Sequence, residues 1–329
     1  MIRIFAVVLL TILSSCNSEK DPLSTFQGTA MTMHYRILVG SPLSSKQKKA
    51  IQELIDETFS EIDQTFNKWN PQSELSKLNN ASSNEKIIIT PNLKSLLLRT
   101  DQIVKLSQGK FDPTIEPIQT LWKSHLENGT IPDQKSIEEL KPAIGWNHIH
   151  IDQAYFTKDH PLTEIDLGGI AKGLAVDLLD DRLSNIGFPN HYVEWGGEIR
   201  TSGQHPEKRP WRIFISNNGD GNPENAIAIL DLEDQAIATS GDYFQYWTVE
   251  SEGETYTYYH IIDPQTGAPR LATHEGVSSA SVVAPTCALA DALATVAMLF
   301  PTFEEADAWT KKIEESDPSI HFYLSRSAD

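Results

Sequence analysis

The chain has 329 residues, of which 40% are hydrophobic and 22% are charged, as in an ordinary soluble globular protein. Lysine and arginine together number 27 against 45 aspartates and glutamates, so the formal net charge is -18. A surface this acidic repels nucleic-acid phosphates, and no basic stripe offsets the repulsion, so we expect no nucleic-acid partner.

Residues 1–15 have the pattern of an export signal. One arginine precedes an apolar run that is too short to span a bilayer as a mature helix. Small residues then lead into Cys16, which resembles a lipobox and predicts cleavage before Cys16 and lipidation of that cysteine. Residues 16–25 would form a tether, and acyl chains would anchor the protein in the bacterial cell envelope, at the periplasmic face of the inner membrane. The alternative is an ordinary secretory signal that contains a cysteine.

We expect the rest of the chain, residues 26–329, to form one domain. Helical spacing of apolar residues predicts helices over residues 45–68, 91–108, 136–140, 174–186, 285–300 and 303–315. Extended segments are predicted over residues 26–39, 145–151, 154–157, 191–195, 211–215, 226–232, 236–239, 256–262 and 277–283. Many strands follow one another with few regular alternations with helices, so we expect an α+β fold.

The most informative stretch is Asp166-Leu167-Gly168-Gly169-Ile170-Ala171-Lys172-Gly173. It follows an extended segment and opens a run with helical spacing, so its glycines predict a strand-to-helix turn that a ligand can approach closely. The free N–H groups and the positive end of the helix dipole suit a phosphate. The alternative is a plain glycine turn with an exposed ion pair.

A second polar pair lies within the most apolar predicted helix. Asp291 and Thr295 are four residues apart, so their side chains share one helical face. Hard oxygen ligands at this spacing suit Mg²⁺, which completes its shell with substrate phosphate and water. A bound cation would also offset the acidic charge that repels a polyphosphate. The alternative is a buried hydrogen bond between the two side chains.

Seven motifs follow one another along the chain. They are the stretch from Gly28 to Tyr35, Trp69 with residues 73–79, Phe111-Asp112-Pro113-Thr114, residues 166–173, Gly196-Gly197-Glu198-Ile199, residues 260–267 and residues 291–295. In this order they resemble the ApbE family, the FAD:protein FMN transferases, from about Gly28 to Phe300. Two positions depart from the family's pattern. Thr32-Met33 stands where the family commonly has Gly-Thr, and Trp69 stands where many members have Tyr.

The resemblance implies a fold of mixed, largely antiparallel sheets flanked by helices. It also implies Mg²⁺-dependent transfer of FMN from FAD to a Thr or Ser hydroxyl of an acceptor flavoprotein, through a phosphoester bond and with release of AMP. The acceptor would be a subunit of a membrane redox complex. The residues implied to bind FAD are Met31, Trp69, Lys110, Phe111, Asp112, Asp166, Lys172 and Ile262. Those implied to hold Mg²⁺ are the side chains of Asp291 and Thr295 and the backbone carbonyls of Gly169 and Ala294.

A neutral hydroxyl is a poor nucleophile, so such a transfer needs a base. We predict that His260 is that base, because its unperturbed pKa lies near neutrality. Asp263, three residues further on, is predicted to orient His260 or the metal shell. The alternative is that His260 only pairs with a neighbour in a strand.

Two other functions stay open. The same site could act as a Mg²⁺-dependent FAD pyrophosphatase, with water as the acceptor and FMN and AMP as products. The protein could also be a non-enzymatic lipoprotein that binds FAD, although simple storage needs no Mg²⁺ site. Labelling of an acceptor protein separates the three possibilities.

Overall fold

The computed structural model describes residues 22–216, 222–243, 245–251, 253–272 and 275–326. The strands in these ranges are β1 (Ser24–Ala30), β2 (Met33–Val39), β3 (Ile87–Ile88), β4 (Ile149–Asp152), β5 (Tyr155–Lys158), β6 (His191–Trp195), β7 (Glu198–Ser202), β8 (Trp211–Ile215), β9 (Ala228–Leu232), β10 (Ala236–Gly241), β11 (Tyr246–Ser251), β12 (Glu254–Asp263), β13 (Ala268–Leu271), β14 (Val277–Ala284) and β15 (His321–Arg326). The helices are α1 (Ser45–Phe66), α2 (Glu74–Asn79), α3 (Pro91–Leu106), α4 (Glu116–Glu127), α5 (Gln134–Leu140), α6 (Ala171–Asn185), α7 (Cys287–Met298) and α8 (Phe303–Ser316).

A seven-stranded sheet with the order β1-β2-β6-β7-β10-β14-β15 organises the fold. Two three-stranded sheets, β3-β5-β4 and β11-β12-β13, and the pair β8-β9 accompany it. The strand pairs of these sheets are antiparallel. The expected α+β fold with helices beside largely antiparallel sheets is therefore confirmed.

Helices α6 and α7 cover one face of the large sheet, and α1 packs on α6. Leu179 and Leu183 of α6 and Val296 of α7 are fully buried in this layer. On the other face, the pair β8-β9 brings Trp211 against Tyr192, with ring centroids 6.1 Å apart. Because both faces are covered, β14 is buried along its whole length, which fits its run of small and β-branched residues.

The starts of α6 and α7 interlock. The carboxylate of Asp177, on α6, accepts hydrogen bonds from the N–H groups of Cys287 at 2.8 Å and Ala288 at 3.0 Å, at the start of α7. Asp291, on α7, accepts one from the N–H of Gly173 at 3.1 Å, near the start of α6. A Cβ at Gly173 would lie 2.3 Å from the carbonyl oxygen of Cys287, so this approach requires glycine. Each helix therefore supplies a carboxylate that caps the other.

Two local predictions differ from the structure. The single strand predicted over residues 26–39 is a hairpin, because Met31 and Thr32 have φ angles of 46° and 69° and form a two-residue turn. The segment that follows Asp112, for which no helix was predicted, leads into α4. That helix begins at Glu116, with a proline in its first turn, where a missing N–H removes no helical hydrogen bond.

The predicted export signal, residues 1–15, and Cys16 lie outside the described residues. Ser24 and Thr25, which were expected to belong to the tether, lie in β1, so the first strand of the domain begins before residue 26. In the described part of the chain, no helix is both long and apolar enough to cross a membrane.

Candidate active site

A cavity of about 530 Å³ lies between the glycine motif, α7, β10 and β12, and we call it the main cavity. Its volume is within the range of cofactor-sized pockets. The predicted site residues that line it are Trp69, Lys110, Phe111, Asp112, Asp166, Gly169, Lys172, His260, Ile262, Asp291 and Thr295. The fold thus gathers side chains from widely separated parts of the sequence around one space.

Three charged side chains form one part of its wall. The ammonium of Lys172 donates a hydrogen bond to Glu198 and lies 3.2 Å from Asp291 Oδ1. Glu198 and Asp291 are each 2% exposed. Among the described residues, Glu198 Oε2 has no hydrogen-bond partner. One ammonium therefore faces two buried carboxylates, and the excess negative charge suits a further cation.

The protonation of this cluster follows from burial and charge. Burial raises the pKa of Glu198 to about 7, although the charge of Lys172 opposes the rise. Burial alone would lower the pKa of Lys172, but the carboxylates of Asp291 and Glu198 outweigh burial and raise that pKa. Lys172 is therefore charged at neutral pH, whereas Glu198 exchanges its proton near neutrality.

The oxygen atoms beside the cluster fit a magnesium ion. Thr295 Oγ1 lies 3.3 Å from the backbone oxygen of Asp291 and 3.3 Å from Ser240 Oγ. A Cβ at Gly169 would lie only 3.2 Å from Thr295 Oγ1, so the glycine backbone comes close to this hydroxyl. Glu198, with its partnerless oxygen, lines the same cavity, so the side chains there offer oxygen ligands of the kind that Mg²⁺ prefers.

A metal at this position cannot be held by acidic, cysteine and histidine side chains alone. No group of three or more His, Cys, Asp or Glu side chains in the described ranges could hold a metal. A metal beside Asp291 would therefore complete its shell with backbone oxygens, water or a substrate phosphate, as Mg²⁺ commonly does.

His260 lies on β12 at the edge of the main cavity. Its Nδ1 is 3.2 Å from the carbonyl oxygen of Gln245. A carbonyl oxygen can only accept, so in the neutral ring Nδ1 carries the proton and Nε2 carries the lone pair. Burial lowers the pKa of His260, the hydrogen bond to Gln245 opposes this, and the charge of Lys172 lowers the pKa further. At neutral pH His260 therefore has the protonation state of a general base.

Trp69 presents an indole ring at the cavity edge. The side chain is 70% exposed, and the ammonium groups of Lys68 and Lys123 each lie 4.8 Å from its ring centroid. Lys68 also hydrogen-bonds to Glu116 at 2.5 Å and to Asp166 at 2.9 Å. Asp166 is therefore held by a lysine, and Trp69 offers a face on which an aromatic ligand can stack.

Asp112 lines the cavity, but its carboxylate also fixes the surrounding loop. Its Oδ1 accepts hydrogen bonds from the N–H and the hydroxyl of Thr114, at 2.9 Å and 2.6 Å, and its Oδ2 accepts one from the N–H of Trp146 at 3.0 Å. Burial raises the pKa of Asp112, and these hydrogen bonds oppose the rise. The loop in turn sets Phe111 against Gly169, where a Cβ would lie 3.1 Å from the phenyl ring.

Three predicted site residues do not line the main cavity. Met31 lies in the hairpin turn, and Met33 lines the cavity instead. The carboxylate of Asp263 accepts a backbone N–H from the turn that follows β12, at 2.8 Å, so it shapes that turn and is not seen to orient His260. Ala294 is fully buried in α7, and the ligand predicted there is its backbone carbonyl rather than a side chain.

Several residues that line the cavity had no role predicted from the sequence, among them Met33, Glu198 and Ser240. The sequence pattern could have identified Glu198 as a site residue, since it follows a double glycine that comes directly after a predicted strand. Gly196 and Gly197 have φ angles of 65° and 104°, and this turn directs the next strand past the cavity. The contact between Ser240 and Thr295 depends on how β10 lies beside α7, which no local pattern predicts.

Comparison with known proteins identifies relatives of this chain. The model of the ApbE family matches residues 28–320. A Chlamydia pneumoniae protein named FAD:protein FMN transferase is 43% identical over 312 residues, which cover 94% of each chain. The crystal structure of the Pseudomonas stutzeri flavinyl transferase ApbE in its apo form has a TM-score of 0.80 with this chain at 26% identity. The match covers 93% of this chain and 92% of that one. The ApbE protein of Thermotoga maritima has a TM-score of 0.78 at 27% identity, with coverage of 92% and 94%. The chain therefore belongs to the ApbE family.

Proposed function

We propose that this protein is a Mg²⁺-dependent FAD:protein FMN transferase, which links FMN to a Thr or Ser hydroxyl of an acceptor flavoprotein and releases AMP. The observation that carries the proposal is the shared cavity of a neutral histidine, His260, and the buried Lys172–Glu198–Asp291 cluster. A base and a fixed positive charge are the groups that a phosphoryl-type transfer to a hydroxyl requires. The name of the 43% identical relative supports the same activity.

In the proposed reaction, the acceptor hydroxyl attacks the phosphorus of FAD that belongs to its FMN half. The new P–O bond joins FMN to the acceptor, the bridging P–O bond breaks, and AMP leaves with the bridging oxygen. His260 Nε2 accepts the hydroxyl proton and passes it to solvent. Lys172, fixed between its two carboxylates, offsets the negative charge of the pyrophosphate.

The metal and the flavin would be held by separate parts of the cavity. Asp291 and Thr295, with the backbone carbonyls of Gly169 and Ala294, would hold Mg²⁺, which acts as a Lewis acid on phosphoryl oxygens when bound. Trp69 would stack on the flavin ring, because its indole is exposed at the cavity edge.

Acceptor labelling tests the proposal. The protein is incubated with FAD, Mg²⁺ and the flavin-free soluble domain of an acceptor subunit, and the intact mass of the acceptor is measured together with released AMP. We expect one FMN group per acceptor and an equal amount of AMP. AMP and free FMN without labelling would instead indicate a pyrophosphatase, and bound FAD without any AMP would indicate a flavin-binding protein.

We further propose that lipid on Cys16 anchors the protein at the periplasmic face of the inner membrane, beside a membrane redox complex that supplies the acceptor. The proposal is supported by the pattern of residues 1–16, with a short apolar run and small residues before a cysteine. A Cys16→Ser variant should lose its lipid mass and leave the membrane fraction. Retention of that variant in washed membranes would contradict the anchor.

A further inference from the structure

A second cavity, of about 210 Å³, adjoins the main cavity, and we call it the side cavity. It lies between α4, β11 and β12. The residues that line it but not the main cavity include Thr120, Trp122, Lys123, Trp247 and Tyr259. The two cavities meet along seven residues that line both, namely Trp69, Gln119, Asp166, Gly168, Gln245, His260 and Ile262.

We propose that the side cavity receives the segment of the acceptor protein that carries the reacting hydroxyl. The proposal rests on the proposed function, in which the main cavity takes FAD. The side cavity is smaller than the roughly 300–1,000 Å³ of typical small-molecule sites. It therefore suits a few residues of a polypeptide better than a second cofactor.

The orientation of His260 sets the direction from which the hydroxyl arrives. Nδ1 faces the carbonyl oxygen of Gln245 at 3.2 Å, so the lone pair that accepts the hydroxyl proton lies on Nε2. With FAD in the main cavity, the acceptor hydroxyl has to reach the His260 ring from outside that cavity. The side cavity is lined by the same histidine and supplies that space.

The mouth of the side cavity has the composition of a protein interface. Trp69 lines both cavities and is 70% exposed, so part of its indole is open beside the side cavity. The ammonium of Lys123 lies 4.8 Å from the Trp69 ring centroid. Exposed aromatic rings are enriched where proteins bind one another, whereas a small-molecule pocket encloses most of its ligand.

Charge also favours a polypeptide at this position. The ionised side chains that line the side cavity are Lys68, Lys123, Glu116 and Asp166, so their formal charges cancel. The whole chain, in contrast, carries a formal charge of -18. A neutral cleft in an acidic surface lets a polypeptide segment dock through apolar and hydrogen-bond contacts without repulsion.

Two variants test the docking cleft, since both residues line the side cavity and neither lines the main one. They are Lys123→Ala and Trp247→Ala, and the matched control is Lys135→Ala, on the exposed side of α5. The flavin-free soluble domain of the acceptor subunit is the probe. The Kd for FAD is measured by flavin fluorescence, and the KM for the acceptor is measured at saturating FAD.

We expect the acceptor KM to rise about tenfold in each cavity variant, as for a residue at the centre of an interface, while the FAD Kd stays at the wild-type value. Because Trp247 contributes to packing, Lys123→Ala carries the test if Trp247→Ala fails to fold. A weaker FAD Kd with an unchanged acceptor KM would assign the cavity to the flavin and overturn the proposal. Wild-type acceptor KM in Lys123→Ala would overturn it as well. Failure of the wild-type enzyme to label any acceptor would overturn the proposed function and the cleft together.

Discussion

Replacement of Lys172 by methionine tests whether this lysine compensates two buried carboxylates. Glu198 and Asp291 are each 2% exposed, and both face the Lys172 ammonium. Removal of one partner from a buried ion pair costs about 3–5 kcal/mol, because the remaining charge is left without compensation. The Lys172 side chain is 29% exposed, so we expect the lower end, about 3 kcal/mol. For a chain of this length the loss corresponds to a Tm lower by about 4 °C.

Differential scanning calorimetry in buffer with a chelator measures the effect. At a pH well above 7, where Glu198 is ionised, the double variant Lys172→Met/Glu198→Gln should recover part of the lost Tm, because one of the two carboxylates is neutralised. Mg²⁺ should raise the Tm of Lys172→Met more than that of the wild type, since a divalent cation can replace the missing ammonium. Lys135→Met, on an exposed helix, serves as the control. A single variant as stable as the wild type, with no gain from the second substitution, would refute the reasoning.

Four further predictions concern the same site. Because burial raises the pKa of Glu198 from 4.5 to about 7, the wild type should lose unfolding free energy relative to Glu198→Gln as the pH rises from about 4.5 through 7. Calorimetry at several pH values without Mg²⁺ checks this, and a difference that grows in the opposite direction contradicts it. Because the pKa of His260 is lowered from 6.5, kcat/KM for transfer should be level around pH 7 and fall only at more acidic pH. An acid limb centred above pH 6.5 would be inconsistent with this lowered pKa. His260→Ala should lower kcat about 10²–10⁴-fold with FAD binding retained, whereas Asp263→Ala should stay within about twofold, because its carboxylate lies in a turn. An equal loss of kcat in both variants would contradict this and would assign Asp263 a catalytic role. Gly173→Ala should lower stability by about 3 kcal/mol or more, since its Cβ would meet the Cys287 carbonyl oxygen at 2.3 Å, and an unchanged Tm would disprove this packing.

Elements with strong apolar periodicity were predictable from the sequence. The helices expected over residues 45–68 and 91–108 are α1 and α3, and each ends two residues earlier than expected. Ser44 caps α1 through a capping box, and Pro91 begins α3, so local chemistry and packing agree at both starts.

Other elements depend on tertiary partners. The turn at Met31 and Thr32 has two left-handed residues without the glycine or asparagine that usually marks such a hairpin, so no local signal predicts it. The strand β15 was not predicted, because its side chains are half-buried and its place is set by pairing with β14 at the edge of the sheet.

The candidate site also combines features that local sequence patterns predict with features that depend on tertiary contacts. The sequence was sufficient to single out Asp166–Lys172 and the pair Asp291 and Thr295, since both patterns lie within one local element. In the structure Gly169 lies beside Thr295, and the metal site predicted there stays a prediction. The pairing of Glu198 with Lys172 joins β7 to α6, and it follows from the order of strands in the sheet. Local spacing carries no information about such a contact.

The most direct measurement is acceptor labelling in water enriched in heavy oxygen, with FAD, Mg²⁺ and either the wild type or His260→Ala. For the wild type we predict FMN on a Thr or Ser of the acceptor, an equal amount of AMP, and no heavy oxygen in the phosphate groups of either product. The His260→Ala variant should bind FAD and label little acceptor. Heavy oxygen in free FMN or AMP, with an unlabelled acceptor, would contradict the account, because water and not the acceptor hydroxyl would then be the nucleophile.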